Sequence, residues 1–159
     1  MKDVQDIFIK KGLTLSLAES CTGGKMSSML TKTPGASSYF LGGVVCYCDQ
    51  LKINLLGVSE ALIEEKTAVD IEVARQMCHG VLKLTGSDFA VAVTGDAGPG
   101  GGQVGTVFGA IGSKEAIYAG KIPYLAGLTR EEIMMKSGGY LLVQLFTFLQ
   151  TGEVPFAHK

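Results

Sequence analysis

The sequence predicts a single α/β domain: a three-layer α/β/α sandwich around a mixed, mainly parallel sheet. Three observations carry that expectation. Helical and strand-like segments alternate along the chain. The strand segments are short, apolar runs bounded by turn residues. The 159 residues suffice for one domain with a sizeable core.

The first helix is expected near Asp3, with Val4, Ile7 and Phe8 on one face and Gly12 as its stop. Leu13 to Leu17 has the pattern of a short buried strand. Gly23-Gly24 opens a second helix through Met26, Met29 and Leu30, closed by Thr33-Pro34-Gly35. Phe40 to Tyr47, rich in aromatic and β-branched residues, predicts the next strand. A short helical piece follows over Lys52 to Leu56. Ser59 and Asp70 are candidate caps for two more helices. In the second, Ala74, Met77, Cys78, Val81 and Leu82 recur at helical spacing and define one apolar face.

Phe89 to Thr94, "FAVAVT", is a buried strand, followed by a glycine-rich loop from Gly95 to Gly102. Val104 to Ile111 and Ile117 to Ile122 predict a hairpin turning at Gly112-Ser113-Lys114. Thr129 and Glu132 form a capping-box pattern ahead of the last helix. The whole chain, 1–159, is assigned to that one domain, and its polar tail, 151–159, is expected to fray.

Composition narrows the function classes. The net charge of -1, without a run of one sign, gives no broad electrostatic surface, so no nucleic acid is expected. No apolar stretch approaches the length that spans a bilayer, so no membrane association is expected. The N-terminus lacks the apolar core of a signal peptide. Cys21, Cys46, Cys48 and Cys78 lie in apolar segments, which suits free thiols in a reducing cytoplasm. Cys46 and Cys48 alternate on the predicted strand and are expected on the same face. With Cys78 and His79 they match no common zinc spacing, so no metal is expected.

Three segments carry polar chemistry against apolar strands. "AESCTGG", 18–24, places Glu19, Ser20, Cys21 and Thr22 at a strand-to-helix junction. Helix N-terminal amides there favour anions, and Gly23 and Gly24 permit close approach. Ser20, Cys21 and Thr22 are each possible nucleophiles, and Ser20 or Thr22 can equally serve as a plain helix cap. "VVCYCDQLK" ends a strand with Tyr47, Asp49 and Lys52. A lysine near a serine can act as its base, and a solvated helix start has the same sequence.

The third segment is "VTGDAGPGGGQVGTV". Gly100, Gly102 and Gly105 satisfy G-x-G-x-x-G, but a strand follows rather than a helix, which excludes a dinucleotide fingerprint. A loop so rich in glycine, edged by Thr94, Asp96 and Thr106, can wrap a phosphate or ribose. The two histidines, His79 and His158, lie in a helix and the tail, which argues against a Ser-His-Asp triad. Base catalysis then falls to Lys52, Tyr47 or Glu19.

In this order, "AESCTGG", "GGVVCYCDQLKINLLGV", "TAVDIEVARQM" and "AVAVTGDAGPGGG" with "VGTVF" resemble the CinA C-terminal domain family, over about residues 12–149. The resemblance implies deamidation of nicotinamide mononucleotide to nicotinate mononucleotide and ammonia, in pyridine-nucleotide recycling, with no cofactor. The chain resembles the family's stand-alone form.

Carried onto this sequence, the resemblance makes Ser20 the nucleophile, Lys52 its base and Tyr47 the group that orients Lys52 or relays the proton. Glu19, Thr22, Gly23, Gly24, Thr94, Gly95, Gly98, Gly100, Gly101, Gly102, Thr106 and Arg130 are then the substrate-binding set. The partner is a small nucleotide, and a homodimer is expected. The alternative is a nucleotide-binding or interaction module without turnover, and a third possibility is an amidase for another small amide. The chain departs from the family pattern at Cys48 and Asp49, at Asp96 where an apolar residue is usual, and at Met134 and Met135 where arginine is common.

Overall fold

A computed structural model describes residues 2–158. Helix α1 spans Lys2–Lys11 and ends where Gly12 turns left-handed at φ 64°. It leads to strand β1, Leu15–Glu19, and helix α2, Lys25–Thr31. A 3-10 turn, Ala36–Ser38, precedes strand β2, Phe40–Val45. Helices α3, Asp49–Leu56, α4, Glu60–Lys66, and α5, Ile71–Thr85, follow. Strands β3, Phe89–Gly95, β4, Val107–Ser113, and β5, Ile117–Lys121, then lead to helix α6, Arg130–Thr151.

The caps foreseen at Ser59, Asp70 and Thr129 form as local chemistry dictates. Ser59 accepts from the Leu62 amide, Asp70 from Glu72, and Thr129 exchanges bonds with Glu132 in a capping box. Element boundaries differ from expectation by a few residues. Strand β1 runs on to Glu19, and α3 starts earlier, at Asp49.

The five strands lie in the order β2-β1-β3-β4-β5. Strands β2, β1 and β3 are parallel, and β4 is antiparallel to both its neighbours. Four of the five strands therefore point the same way, and helices cover both faces. Alternation along the strands sorts the two cores. Leu15, Leu17, Val91, Val93, Val107 and Ile111 face α1, α2 and α6. Ala18, Ala90, Ala92, Ala110 and Ala119 face α5. The alanine face is shallow, so α5 settles close to the sheet, and Gly80 of α5 meets the backbone of Leu56 at the end of α3.

Two expectations are corrected. Strand β2 stops at Val45, so Cys46 and Cys48 do not share a sheet face: Cys46 is buried and Cys48 is exposed as the residue before α3. The tail up to His158 does not fray. His158 exchanges both backbone bonds with Ala119 of β5, Val154 is buried, and Phe156 packs edge-on against Tyr140. Lys159, the last residue of that tail, lies outside the described residues. Among the described residues, no helix is long and apolar enough to cross a membrane.

Candidate active site

The parallel strands deliver their carboxyl ends at one level. Glu19 is in register with Val45 of β2 and Val93 of β3. Just beyond, the Ser20 amide donates to the Val93 carbonyl at 3.0 Å and the Cys46 amide to the Glu19 carbonyl at 2.9 Å. Three loops therefore leave the sheet side by side, the position where open α/β sheets bind ligands. They enclose a cavity of about 390 Å³.

Seven of the expected site residues line that cavity: Ser20, Tyr47, Lys52, Thr94, Gly95, Gly102 and Arg130. Lys52 is 1% exposed, and its Nζ donates to the Tyr47 carbonyl at 3.1 Å and lies 3.5 Å from an Asp49 oxygen. A lysine this buried is held by specific partners. Tyr47 thus meets Lys52 through its backbone carbonyl and not through its ring. Its hydroxyl accepts instead from the Arg130 guanidinium at 2.8 Å, and Arg130 also donates to the Gly98 carbonyl.

Glu19 and Thr22 lie beneath the cavity. The fully buried Glu19 carboxylate accepts from Thr22 Oγ1 and from the amides of Gly24, Met26 and Ser27, at 2.7–3.1 Å. Ser27 Oγ is a further donor, at 2.7 Å. Glu19 therefore does the capping expected of Ser20 or Thr22. The Gly23 amide donates to the Ser20 carbonyl. Thr22 and the amides of Gly23 and Gly24 are thus engaged within the protein and not free for an anion. Gly23 and Gly24 adopt φ 59° and 96°, a left-handed pair that lets the chain leave β1 and enter α2 abruptly.

The glycine loop is organised by Asp96. Its carboxylate accepts from the Gly98 amide at 2.8 Å and the Gln103 amide at 3.0 Å, and its carbonyl accepts from Gly105. A side chain at Gly101 would lie on that carboxylate. Gly98, Gly100 and Gly101 shape this loop without lining the cavity, and Thr106 closes it through backbone bonds to Asp96 and Gln103.

Several lining residues were missed by sequence reasoning. Thr67, Ala68 and Val69 form one wall, and the Ala68 carbonyl accepts from Thr94 Oγ1 at 2.7 Å. Thr67 carries φ 72°, an uncommon conformation for threonine. The segment was visible only as part of a family-like motif. Cys21 also lines the cavity, but burial pushes its thiol up to about 12, so it is no thiolate nucleophile at neutral pH. Met134 packs against Gly23 and Met135 is partly exposed, so neither supplies a cation where the family pattern has arginine.

An α/β sheet with a polar cleft at the ends of its parallel strands, holding a serine and a buried lysine, defines the class of protein. Its lineage is specific: the CinA C-terminal domain family model matches residues 1–149, and the chain belongs to that family. A CinA-like protein of Geotalea daltonii is 53% identical over 116 residues, covering 70% of this chain and 28% of that protein. One of Geotalea uraniireducens is 46% identical over 136 residues, covering 83% of this chain and 32% of that protein. The chain thus spans about a third of the length of these curated relatives.

Among solved structures, the competence damage-inducible protein A of Klebsiella pneumoniae superposes with a TM-score of 0.90 at 30% identity, covering 96% of both chains. The competence/damage inducible protein of Agrobacterium tumefaciens gives 0.86 at 34% identity, covering 94% of this chain and 96% of that one.

Proposed function

We propose that the chain is an amidohydrolase that converts nicotinamide mononucleotide to nicotinate mononucleotide and ammonia in the cytoplasm. The observation that carries this reading is that Ser20 and Lys52 open into one cavity at the ends of β1, β2 and β3, with no histidine in its lining.

In the proposed sequence, Ser20 Oγ attacks the carboxamide carbon while Lys52 Nζ accepts the hydroxyl proton. The carbonyl π pair moves onto oxygen. The Cys21 amide, next to Ser20 on the cavity wall and without a backbone acceptor in another residue among those described, would donate to that oxyanion. Collapse breaks the C–N bond, and Lys52 returns its proton to the departing nitrogen, which leaves as ammonia. Water then attacks the acyl-serine ester, Lys52 takes its proton, and the carboxylate product leaves with Ser20 restored. Tyr47 contributes its carbonyl to Lys52 and its hydroxyl to Arg130.

The second reading, a binding module without turnover, is favoured by the Asp49–Lys52 ion pair, which gives Lys52 a carboxylate partner within the chain. Incubating the purified protein with nicotinamide mononucleotide, and measuring ammonia alongside binding, separates the two. Stoichiometric ammonia and nicotinate mononucleotide support the amidase; saturable binding with no ammonia supports the module.

A further inference from the structure

The segment between α4 and α5 turns on Thr67, whose φ of 72° and ψ of 169° fall in a region open in practice to glycine alone. Branching at Cβ adds to the strain. Burial does not account for a side chain there, because Thr67 is exposed. The conformation is held from both sides. The Thr67 amide donates to the Ile63 carbonyl at 2.9 Å as α4 ends, Thr94 Oγ1 donates to the Ala68 carbonyl at 2.7 Å, and Asp70 then caps α5. Strain of this kind gathers at ligand-binding sites, where it places a group that binding needs.

Thr67 lines the same cavity as Ser20 and Lys52. Its Oγ1 accepts from the Val69 amide at 3.2 Å and, among the described residues, donates to nothing. A hydroxyl has one proton to give, so Thr67 keeps a donor for a ligand that enters. The sheet sets where that donor stands. Glu19 pairs with Val93, so Ser20 and Thr94 leave adjacent strands at one level. Thr94 in turn binds Ala68, and the Thr67 segment reaches the cavity by way of Thr94.

We propose that Thr67 is a substrate-binding residue, its hydroxyl donating to an oxygen of the ribose–phosphate part of the nucleotide from a backbone conformation kept for that contact. This rests on the amidase reading above, which holds the carboxamide at Ser20 and leaves the rest of the nucleotide to the other walls.

The test compares the unaltered protein with Thr67→Gly, Thr67→Val and Thr67→Ser, by thermal unfolding and by ammonia release from nicotinamide mononucleotide. Thr67→Gly is expected to raise Tm by about 2–4 °C, since relief of the strain exceeds the extra freedom of glycine in the unfolded chain. The same variant is expected to raise KM by about twofold to tenfold, the range of one hydrogen bond. A merely structural residue would not give higher stability with weaker binding. Thr67→Val is expected to raise KM by a similar factor with kcat unchanged, and Thr67→Ser, which keeps the hydroxyl, to retain the KM of the unaltered protein. Nicotinamide riboside separates two sources of the acceptor: a loss in Thr67→Val seen with both compounds places it on the ribose, and a loss seen with the mononucleotide alone places it on the phosphate.

An unchanged KM for the mononucleotide in folded Thr67→Val overturns the proposal. So does a Tm in Thr67→Gly that fails to rise, or a KM in Thr67→Ser raised as far as in Thr67→Val. If Thr67→Val does not fold, Thr67→Gly and Thr67→Ser decide, and equal KM values in those two overturn it. If no ammonia is released by the unaltered protein, the amidase reading fails separately. Dissociation constants for the mononucleotide then decide: weaker binding to Thr67→Gly than to Thr67→Ser supports the contact, and equal binding, or none to the unaltered protein, overturns it.

Discussion

The Arg130 guanidinium donates to the Tyr47 hydroxyl at 2.8 Å, joining the start of α6 to the loop that leads into α3. Arg130 also holds the glycine loop through the Gly98 carbonyl. One side chain thus ties together three walls of the cavity. Tyr47→Phe and Arg130→Met are each expected to weaken substrate binding by about tenfold to a hundredfold, the range of one hydrogen bond to a charged group. Their effects should be less than additive in a double-mutant cycle on KM, because each removes the same bond. Full additivity would show that the two residues act separately.

Glu19 gathers five donors at the entry to α2. Glu19→Ala orphans several buried polar groups, each costing about 1–3 kcal/mol. A loss of at least ~3 kcal/mol in denaturant unfolding is the expected outcome. A loss below about 1 kcal/mol would show that water replaces the carboxylate.

Gly80 lies where α5 crosses the end of α3, and an added methyl would meet the Leu56 backbone. Gly80→Ala is expected to cost about 1–3 kcal/mol through overpacking. Because Lys52 sits on α3, activity should fall alongside stability. Unchanged thermal stability would contradict so tight a contact.

Three thiols are raised from their ordinary value of 9.0 by burial: Cys21 and Cys78 to about 12, Cys46 to about 11. Between those values and 9 the unfolded chain has released protons that the native protein still holds. Raising the pH through that window therefore favours unfolding. Stability is expected to fall above pH 9, and less steeply in Cys78→Ala than in the unaltered protein. At pH 8, a maleimide should label the exposed Cys48 and leave the other three thiols unmodified in the folded state. Rapid labelling of Cys21 would contradict its burial.

Much of the fold was legible because its signals are local. Ser59, Asp70 and Thr129 cap helices within three residues of themselves. The alternation in "FAVAVT" sorts itself between the two cores. The serine, lysine and glycine loop were visible as polar residues at strand ends, which a parallel sheet brings together. What stayed hidden depends on distant partners or on the backbone. Glu19 is buried by the turn that follows it. Tyr47 serves Lys52 with a carbonyl that any residue would have provided. Asp96 acts on amides that a loop closure brings to it. The tail is ordered because it meets β5, from which its own sequence carries no signal.

The account turns on Ser20 and Lys52 as one catalytic unit. The most direct measurement is ammonia release from nicotinamide mononucleotide by the unaltered protein, Ser20→Ala and Lys52→Met, each shown to be folded by its thermal transition. The unaltered protein should turn over, and each variant should lose about 10²-fold or more, the range for removing a general base or its nucleophile. Undiminished ammonia release by either folded variant would contradict the account.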